Sequence, residues 1–435
     1  MGVDAARREG ALAMPPRTDV KLDLATLRLI PRSIWSLGFV SLLMDVSSEM
    51  IHALLPVYLV SVMGTSNLTV GMIEGVGEAT ANITKIFSGA ISDWIGHRKV
   101  VVALGYGLAA FSKPLFALAP NAGWIMAARF IDRMGKGVRD APRDALIADL
   151  TPETVRGASY GLRQALDTVG GFVGPLLGIL FMWATSDRYT VVFWIAVIPA
   201  FLSMAFMIFG VQEPERAGKT RNAPAPSGRA ALAQLGSAYW MIVVVGTVFA
   251  LAQFSAAFLI LKARAAGLPV ALAPLVYITM NVVFALGAYP AGVLSDRGDR
   301  TQLLTWGLIF LMLADFALAL SSNLIGVAIG LVLWGLYLAF TQGVLSALIA
   351  DKAPTELRGT AFGVFNFATG VALLAASSVA GALWDAYGPT ATFLAGAAFA
   401  CLALIGLVIV RGRIRPRDGK SSVAPESAAP GAGTP

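Results

Sequence analysis

The chain has 435 residues, of which 57% are hydrophobic and only 14% charged, with a net charge of +7 and a mean hydropathy of +0.72. That balance excludes a soluble globular domain and a disordered chain, and it places most of the sequence in lipid. A single cysteine, Cys401, excludes a disulfide framework and a thiolate metal site, so no cofactor is expected.

In chain order, residues 1–33 are polar and carry Arg7, Arg8, Arg17, Lys21, Arg28 and Arg32 with no short apolar core or cleavage site, which reads as a cytoplasmic tail. Apolar stretches long enough to cross hydrocarbon, about 20 residues each, follow at 34–63, 68–91, 100–119, 122–148, 158–182 and 190–211. Residues 212–236 are rich in Pro, Ala and charge, the composition of a flexible cytoplasmic linker. Six more stretches follow at 237–261, 272–294, 302–320, 325–350, 359–385 and 391–410, and the tail at 412–435 has a disordered composition. The expectation is an all-α membrane protein of twelve transmembrane helices, arranged as two six-helix bundles over 34–211 and 237–411.

The two halves are copies. Ala145-Leu-Ile-Ala-Asp149, Pro152, Arg156, Gly157 and Gly161 recur 202 residues later as Ala347-Leu-Ile-Ala-Asp351, Pro354, Arg358, Gly359 and Gly363. Of the 33 Lys and Arg residues, 22 fall in segments that alternate to one side, three (Arg188, Lys262, Arg264) fall on the other, and eight lie within spans. By the positive-inside rule both termini are cytoplasmic, as in a multi-pass protein of a bacterial inner (plasma) membrane.

Charge separates the copies. The first six spans hold eight acids and eight bases, whereas the last six hold Asp315 and, at the final position of 359–385, Asp385. On span 4, Arg129, Asp132, Arg133, Lys136, Arg139, Asp140, Arg143 and Asp144 fall within an arc of roughly 140° at 100° per residue. Each unpaired charge at mid-membrane costs ~2.5 to 3.5 kcal/mol on insertion scales, so equal numbers of acids and bases imply pairing inside the first bundle. On span 1, Asp45, Glu49 and His52 share a face through their i, i+4 and i+7 spacing, while their repeat counterparts Thr247, Leu251 and Phe254 cannot titrate. A cavity-facing carboxylate that loads and releases protons is the default reading of such residues. The Glu49-x-x-His52 spacing also suits a metal, so transport of a divalent cation or its chelate through Asp45, Glu49 and His52 is the alternative.

Gly89-Ala-Ile-Ser-Asp93-Trp-Ile-Gly96-His-Arg98-Lys99 resembles the loop signature between helices 2 and 3 of the major facilitator superfamily, and Gly292-Val-Leu-Ser-Asp296-Arg297 is a shortened echo of it. The resemblance covers residues 34 to 411 and implies two domains rocking about a central site lined by helices 1, 4, 7 and 10. It also implies a cytoplasmic gate at Gly89, Asp93, Arg98, Asp296 and Arg358. Gly170-x-x-x-Gly174-Pro175-x-x-Gly178 on span 5 is similar to the signature of the antiporter branches, which export drugs and organic solutes, although Ile179 replaces that signature's final Gly. Arg129-Phe-Ile-Asp132-Arg133-Met-Gly135 is similar to the family's helix 4 motif, with Asp132 in place of Gln and Arg133 in place of the first Gly. The motif's Arg is implicated in proton transfer, so Arg129 inherits the role of setting the charge of a nearby carboxylate. Asp45-Val-Ser-Ser-Glu49-Met together with Asp132 through Asp149 looks like one bacterial subgroup of the superfamily.

These readings make Asp45, Glu49, Arg129 and Asp132 the expected proton-coupling residues. His52, Lys136, Arg139, Asp140, Gln253, Trp334, Tyr337 and Gln342 are the expected cavity lining, where aromatic and amide groups opposite an ionic wall suit an amphiphilic organic solute. The expected protein is a monomeric secondary active transporter that exports a small organic compound against protons. A transporter-like receptor is the reading from another class. No nucleophile, base and orienter occur together, so enzyme activity is not expected, and the cytoplasmic Lys and Arg excess explains the net charge without nucleic acid.

Overall fold

The computed structural model describes residues 29–95, 97–152, 155–213, 232, 234–297, 300–341, 348–349, 352–354 and 357–414. Most of the expected linker, the expected N-terminal tail up to residue 28, nearly all of the C-terminal tail, Gln342 and the side chains of Asp93, Asp296 and Arg358 lie outside the described residues.

Every element among the described residues is helical. Helix α1 is Arg32–His52 and continues, after a break, through Leu55–Val57 and a π-helical turn at Tyr58–Val62. Then come α2 (Asn67–Ile95), α3 (Arg98–Ala117), α4 (Ala122–Leu150), α5 (Arg156–Ala184) and α6 (Tyr189–Gly210). In the second half, α7 is divided into Ser237–Leu251 and Ala257–Ala265. It is followed by α8 (Leu275–Arg297), α9 (Arg300–Leu320), α10 (Leu324–Thr341), α11 (Arg358–Tyr387) and α12 (Pro389–Ile414). Among the described residues, nine stretches are long and apolar enough to cross a membrane. The remaining three are α2 and α4, which charged side chains interrupt, and the divided α7.

The break in α1 follows from Pro56, which has no N–H for the His52 carbonyl and whose ring crowds it. The regular ladder therefore ends at His52, with Ala53 N–H donating back to Glu49 O at 3.1 Å. The break in α7 spans residues 252–256, and Phe254 within it stands 202 residues after His52. The two copies thus interrupt their first helix at the same place.

Packing partners repeat as the sequence does. In the first half α1 packs on α5 and α6, and α3 on α4 and α6; in the second, α7 packs on α11 and α12, and α9 on α10 and α12. Two compact units result. One holds the described residues of Met1–Leu54 and Phe87–Thr220, and the other those of Leu55–Ile86 and Arg221–Pro435. Most of α2 therefore packs with the second half, and glycines explain why. A Cβ on Gly75 would lie 3.0 Å from Leu374 Cα, and one on Gly71 or Gly381 would collide with the backbone of Ser377 or Asn67. Only hydrogen at these positions lets the α2 and α11 backbones touch.

The core of the first unit is formed by Ile34, Leu37, Val40 and Met44 of α1 with Val102, Tyr106 and Ala110 of α3, Leu146 and Ile147 of α4, and Ala200 and Met207 of α6. Ser47 and Ser203 hydroxyls donate to Ala196 O and Val40 O, each at 2.6 Å, and tie α1 to α6 without leaving a polar atom unpaired. Exposed Ile198, Phe206 and Phe209 make the outward face of α6 the apolar surface a bilayer requires.

Candidate functional site

The ionic face of α4 meets α1 and α3 in a buried cluster at the break in α1. Lys113, completely buried on α3, places Nζ 2.7 Å from Asp132 Oδ1 and donates to Ser48 Oγ at 2.9 Å. The other Asp132 oxygen, Oδ2, lies 3.3 Å from His52 Nε2, off the line of a well-directed hydrogen bond. Arg133 Nη2 donates to His52 Nδ1 at 3.3 Å. Glu49 Oε1 stands 3.9 Å from the same Nδ1, beyond hydrogen-bond reach. Arg129 is buried and within charge range of His52. Asp132 thus holds a lysine on one oxygen and faces an imidazole with the other, the compensation a buried carboxylate requires.

One to two turns further along α4, Arg139 stacks on the Tyr106 ring, with Cζ 4.6 Å from its centroid. Arg143 donates to Ser41 Oγ at 3.2 Å and to Tyr106 Oη at 3.4 Å, and it lies 3.7 Å from Asp140 and 3.6 Å from Asp144. Arg163 and Asp167 pair along α5 at 2.6 Å. Asp45 is half-buried, with Asp167, Arg139, Lys136 and Glu49 as its charged neighbours, and it makes no hydrogen bond or ion pair among the described residues. Lys136 is exposed.

The glycines of the antiporter-like signature face these acids. A Cβ on Gly170 would lie 2.7 Å from Leu42 O and 2.9 Å from Asp45 Cβ, and one on Gly174 would lie 2.8 Å from Val46 O and 2.9 Å from Glu49 Cβ. Helix α5 therefore lies directly against the carboxylate-bearing stretch of α1, while Pro175 and Gly178 sit buried within an unbroken helix. Two features read separately from the sequence become one contact.

At the start of α3, Glu213 accepts from the backbone N–H of Arg98 at 2.7 Å and of Lys99 at 3.2 Å, and Arg98 Nε lies 3.5 Å from Asp149 Oδ2. Of the expected gate residues, Gly89 packs near Ala141 and Arg98 is held by these acids.

In the second unit, the counterparts of His52 and Asp132 are aromatic, Phe254 and Trp334. Trp334 and Tyr337 are buried in a chain of rings: Phe254 to Trp334 is 5.5 Å, Trp334 to Tyr337 is 5.5 Å, and Tyr337 to Phe249 is 6.0 Å. Gln253 lies in the break of α7, where Ser255 N–H donates to Ser377 Oγ at 3.1 Å and Ser255 Oγ donates to Glu74 Oε2 at 3.3 Å. Asp315 is completely buried beside Gly396. At the start of α2, the Asp385 carboxylate of α11 accepts from Asn67 N–H (3.0 Å), Asn67 Nδ2 (2.8 Å) and Leu68 N–H (2.8 Å). This caps the orphan donors of one helix from another.

The structure thus joins Glu49, Arg129, Asp132 and His52, sets Asp45 near Lys136 and Arg139, and places Trp334 and Tyr337 in packing. Lys113 was missed as a site residue. Its signal was legible, because it is the one charge inside the apolar stretch 100–119 and an intramembrane lysine is functional by default. Glu213 left no such signal, and Asp385 stands at the last position of its expected span. Among the described residues, no group of three or more His, Cys, Asp or Glu side chains is placed to hold a metal ion.

Comparison with known proteins agrees with this architecture. The family model described as Major Facilitator Superfamily matches residues 37–376 and 243–432. The chain is 32% identical over 400 residues to the uncharacterized MFS-type transporter MJ1317 of Methanocaldococcus jannaschii, covering 88% of this chain and 96% of that protein. It is 24% identical over 322 residues to the multidrug resistance protein MdtH of Proteus mirabilis, covering 72% and 77%. Among solved structures, a mutant of the nucleoside transporter NupG superposes with a TM-score of 0.73 at 12% identity, covering 86% of this chain and 99% of that one, which bears on the fold alone.

Proposed function

The chain belongs to the major facilitator superfamily of multi-pass membrane transporters, and from that premise we propose that it exports a small organic solute in exchange for protons by alternating access. The observation that carries this reading is the α1 face of Asp45, Glu49 and His52 set against the basic face of α4, at positions where the second copy has Thr247, Leu251 and Phe254. Asp45 and Glu49 accept protons, and Arg129 and Asp132 set the charge around them. The multidrug resistance protein MdtH, a relative, supports the outward direction and an organic solute. The fit of Gly170 and Gly174 against the two acids supports a helix pair that moves as one body. Arg98 and Gly89 belong to the cytoplasmic latch, and the membrane is a bacterial plasma membrane with both termini inside.

The test is made in two steps on the full chain. Thermal shift of the detergent-purified protein is screened against Mn²⁺, tetraphenylphosphonium and benzoate, since a ligand at 100 times its dissociation constant stabilises by ~2.7 kcal/mol. Proteoliposomes enclosing a pH-sensitive dye then receive each organic compound that shifts the melting temperature. Solute-driven proton movement that Glu49→Gln abolishes is the expected result. A shift with Mn²⁺ alone, lost in Glu49→Gln, would replace this reading with metal transport.

A further inference from the structure

The imidazole of His52 has two neighbours for one nitrogen, and their chemistry differs. Arg133 Nη2 lies 3.3 Å from Nδ1. A guanidinium carries donors only, so Nδ1 must accept, and the ring proton of the neutral imidazole sits on Nε2. There it faces Asp132 Oδ2 at 3.3 Å. Because Asp132 Oδ1 is held by Lys113 at 2.7 Å, the carboxylate that this edge of the ring faces is held in place. Glu49, an acceptor when ionised, waits 3.9 Å from the same Nδ1 and has no other hydrogen bond or ion pair among the described residues.

We infer that His52 is a proton switch whose Nδ1 is contested by Arg133 and Glu49. When hydronium from the aqueous side gives its proton to the Nδ1 lone pair, an O–H bond breaks as the N–H bond forms, water departs, the hydrogen bond from Arg133 is lost and the ring gains one positive charge. The new N–H opposes a donor on the Arg133 side and meets an acceptor on the Glu49 side. A closure of about 1 Å brings Glu49 to the ~2.8 Å of a charge-assisted hydrogen bond. Loading a proton therefore exchanges one partner of Nδ1 for the other and occupies Glu49, while Arg133 keeps Asp132 as a neighbour at 4.0 Å. This deepens the exchange reading above and rests on it: it makes His52 the group that decides when Glu49 is available to the exchange.

The charged groups around the ring are Glu49 on its own helix, Lys113 on α3, and Arg129, Asp132 and Arg133 on α4. Helices α5 and α6 also pack on α1, but residues 168–184 and 190–210 contain no ionisable side chain. The internal repeat shows that the fold does not need the arrangement. At the 202-residue offset His52, Asp132, Lys113, Arg133 and Glu49 become Phe254, Trp334, Asp315, Gly335 and Leu251, and the His52–Asp132 contact becomes a ring pair 5.5 Å apart.

The chain contains two histidines, so His97→Gln leaves His52 as the only imidazole. Side-chain nitrogen spectra of histidine-labelled full-length protein in nanodiscs, recorded from pH 5 to 9, read its tautomer and charge directly. The expected spectrum of the neutral ring is that of the Nε2–H tautomer. Arg133→Leu moves the transition to higher pH and Glu49→Gln moves it to lower pH, each by about one unit, a tenfold change in proton affinity. A neutral ring protonated on Nδ1, or a transition that neither substitution moves, overturns the inference. The wild-type tautomer decides even where a substitution prevents folding. The spectra need no solute, so a switching His52 without solute-driven proton movement sinks the exchange reading alone. Proton movement without switching sinks this one alone.

Discussion

At the scale of single residues, the Lys113–Asp132 pair carries the clearest energetic consequence. Removing one partner of a buried ion pair leaves an uncompensated charge and costs about 3–5 kcal/mol, whereas replacing both with apolar residues is often neutral. Lys113→Met is therefore expected to lower thermal stability sharply, and Lys113→Met with Asp132→Leu to restore most of it, as melting curves of the purified protein would read. Stability without solute-driven proton movement in that double variant would separate folding from function. Additive losses would instead show that Asp132 is held mainly by His52 and Arg133, which lie 3.3 Å and 4.0 Å from its second oxygen. The sequence placed Asp132 and His52 on facing helices but not in contact, because helical periodicity orients a side chain about its own axis and leaves its partner open.

At the scale of elements, close helix contacts decide what a glycine is worth. A methyl group at Gly174 meets the Val46 carbonyl at 2.8 Å and cannot be absorbed by a side-chain rotation. Gly174→Ala is expected to separate α5 from α1, costing ~1–3 kcal/mol by overpacking, and to reduce solute-driven proton movement. Ala376→Gly at the counterpart position is expected to leave transport intact, and equal losses at both positions would reduce the signature to ordinary packing. A second element-scale contact is the cap that Asp385 provides for α2. Asp385→Ala removes the acceptor for Asn67 N–H, Asn67 Nδ2 and Leu68 N–H. Loss of a cap costs about 1 kcal/mol, so hydrogen exchange at the Asn67 and Leu68 amides should rise while amides in mid-α11 keep their protection. Unchanged exchange would mean that the glycine contacts alone hold the two helices together. Neither contact follows from one helix read by itself.

At the scale of the whole molecule, the asymmetry between 22 Lys and Arg residues in the segments on one side and three on the other makes a topological prediction. Reporter domains fused at either terminus should be active only if they function in the cytoplasm, and a periplasmic reporter fused after Gly267 should be active in its place. Inverted activities would reverse the direction assigned to the proposed exchange. Span positions, the duplication, the family and the concentration of intramembrane charge in the first half were all legible in the chain. Each rests on local quantities: apolar length against the thickness of a bilayer, the period of a helix and the recurrence of residues at one offset. The sequence likewise determined that Asp45, Glu49 and His52 share a face, because spacing within one helix sets angle. Tertiary structure alone decided that Lys113 neutralises Asp132, that Gly170 and Gly174 press on the carboxylate stretch of α1, that most of α2 packs with the second half, and that Trp334 and Tyr337 are core. These outcomes depend on which buried groups can satisfy one another at a few ångströms, and a charge or a ring acquires its meaning only from the neighbour that packing supplies.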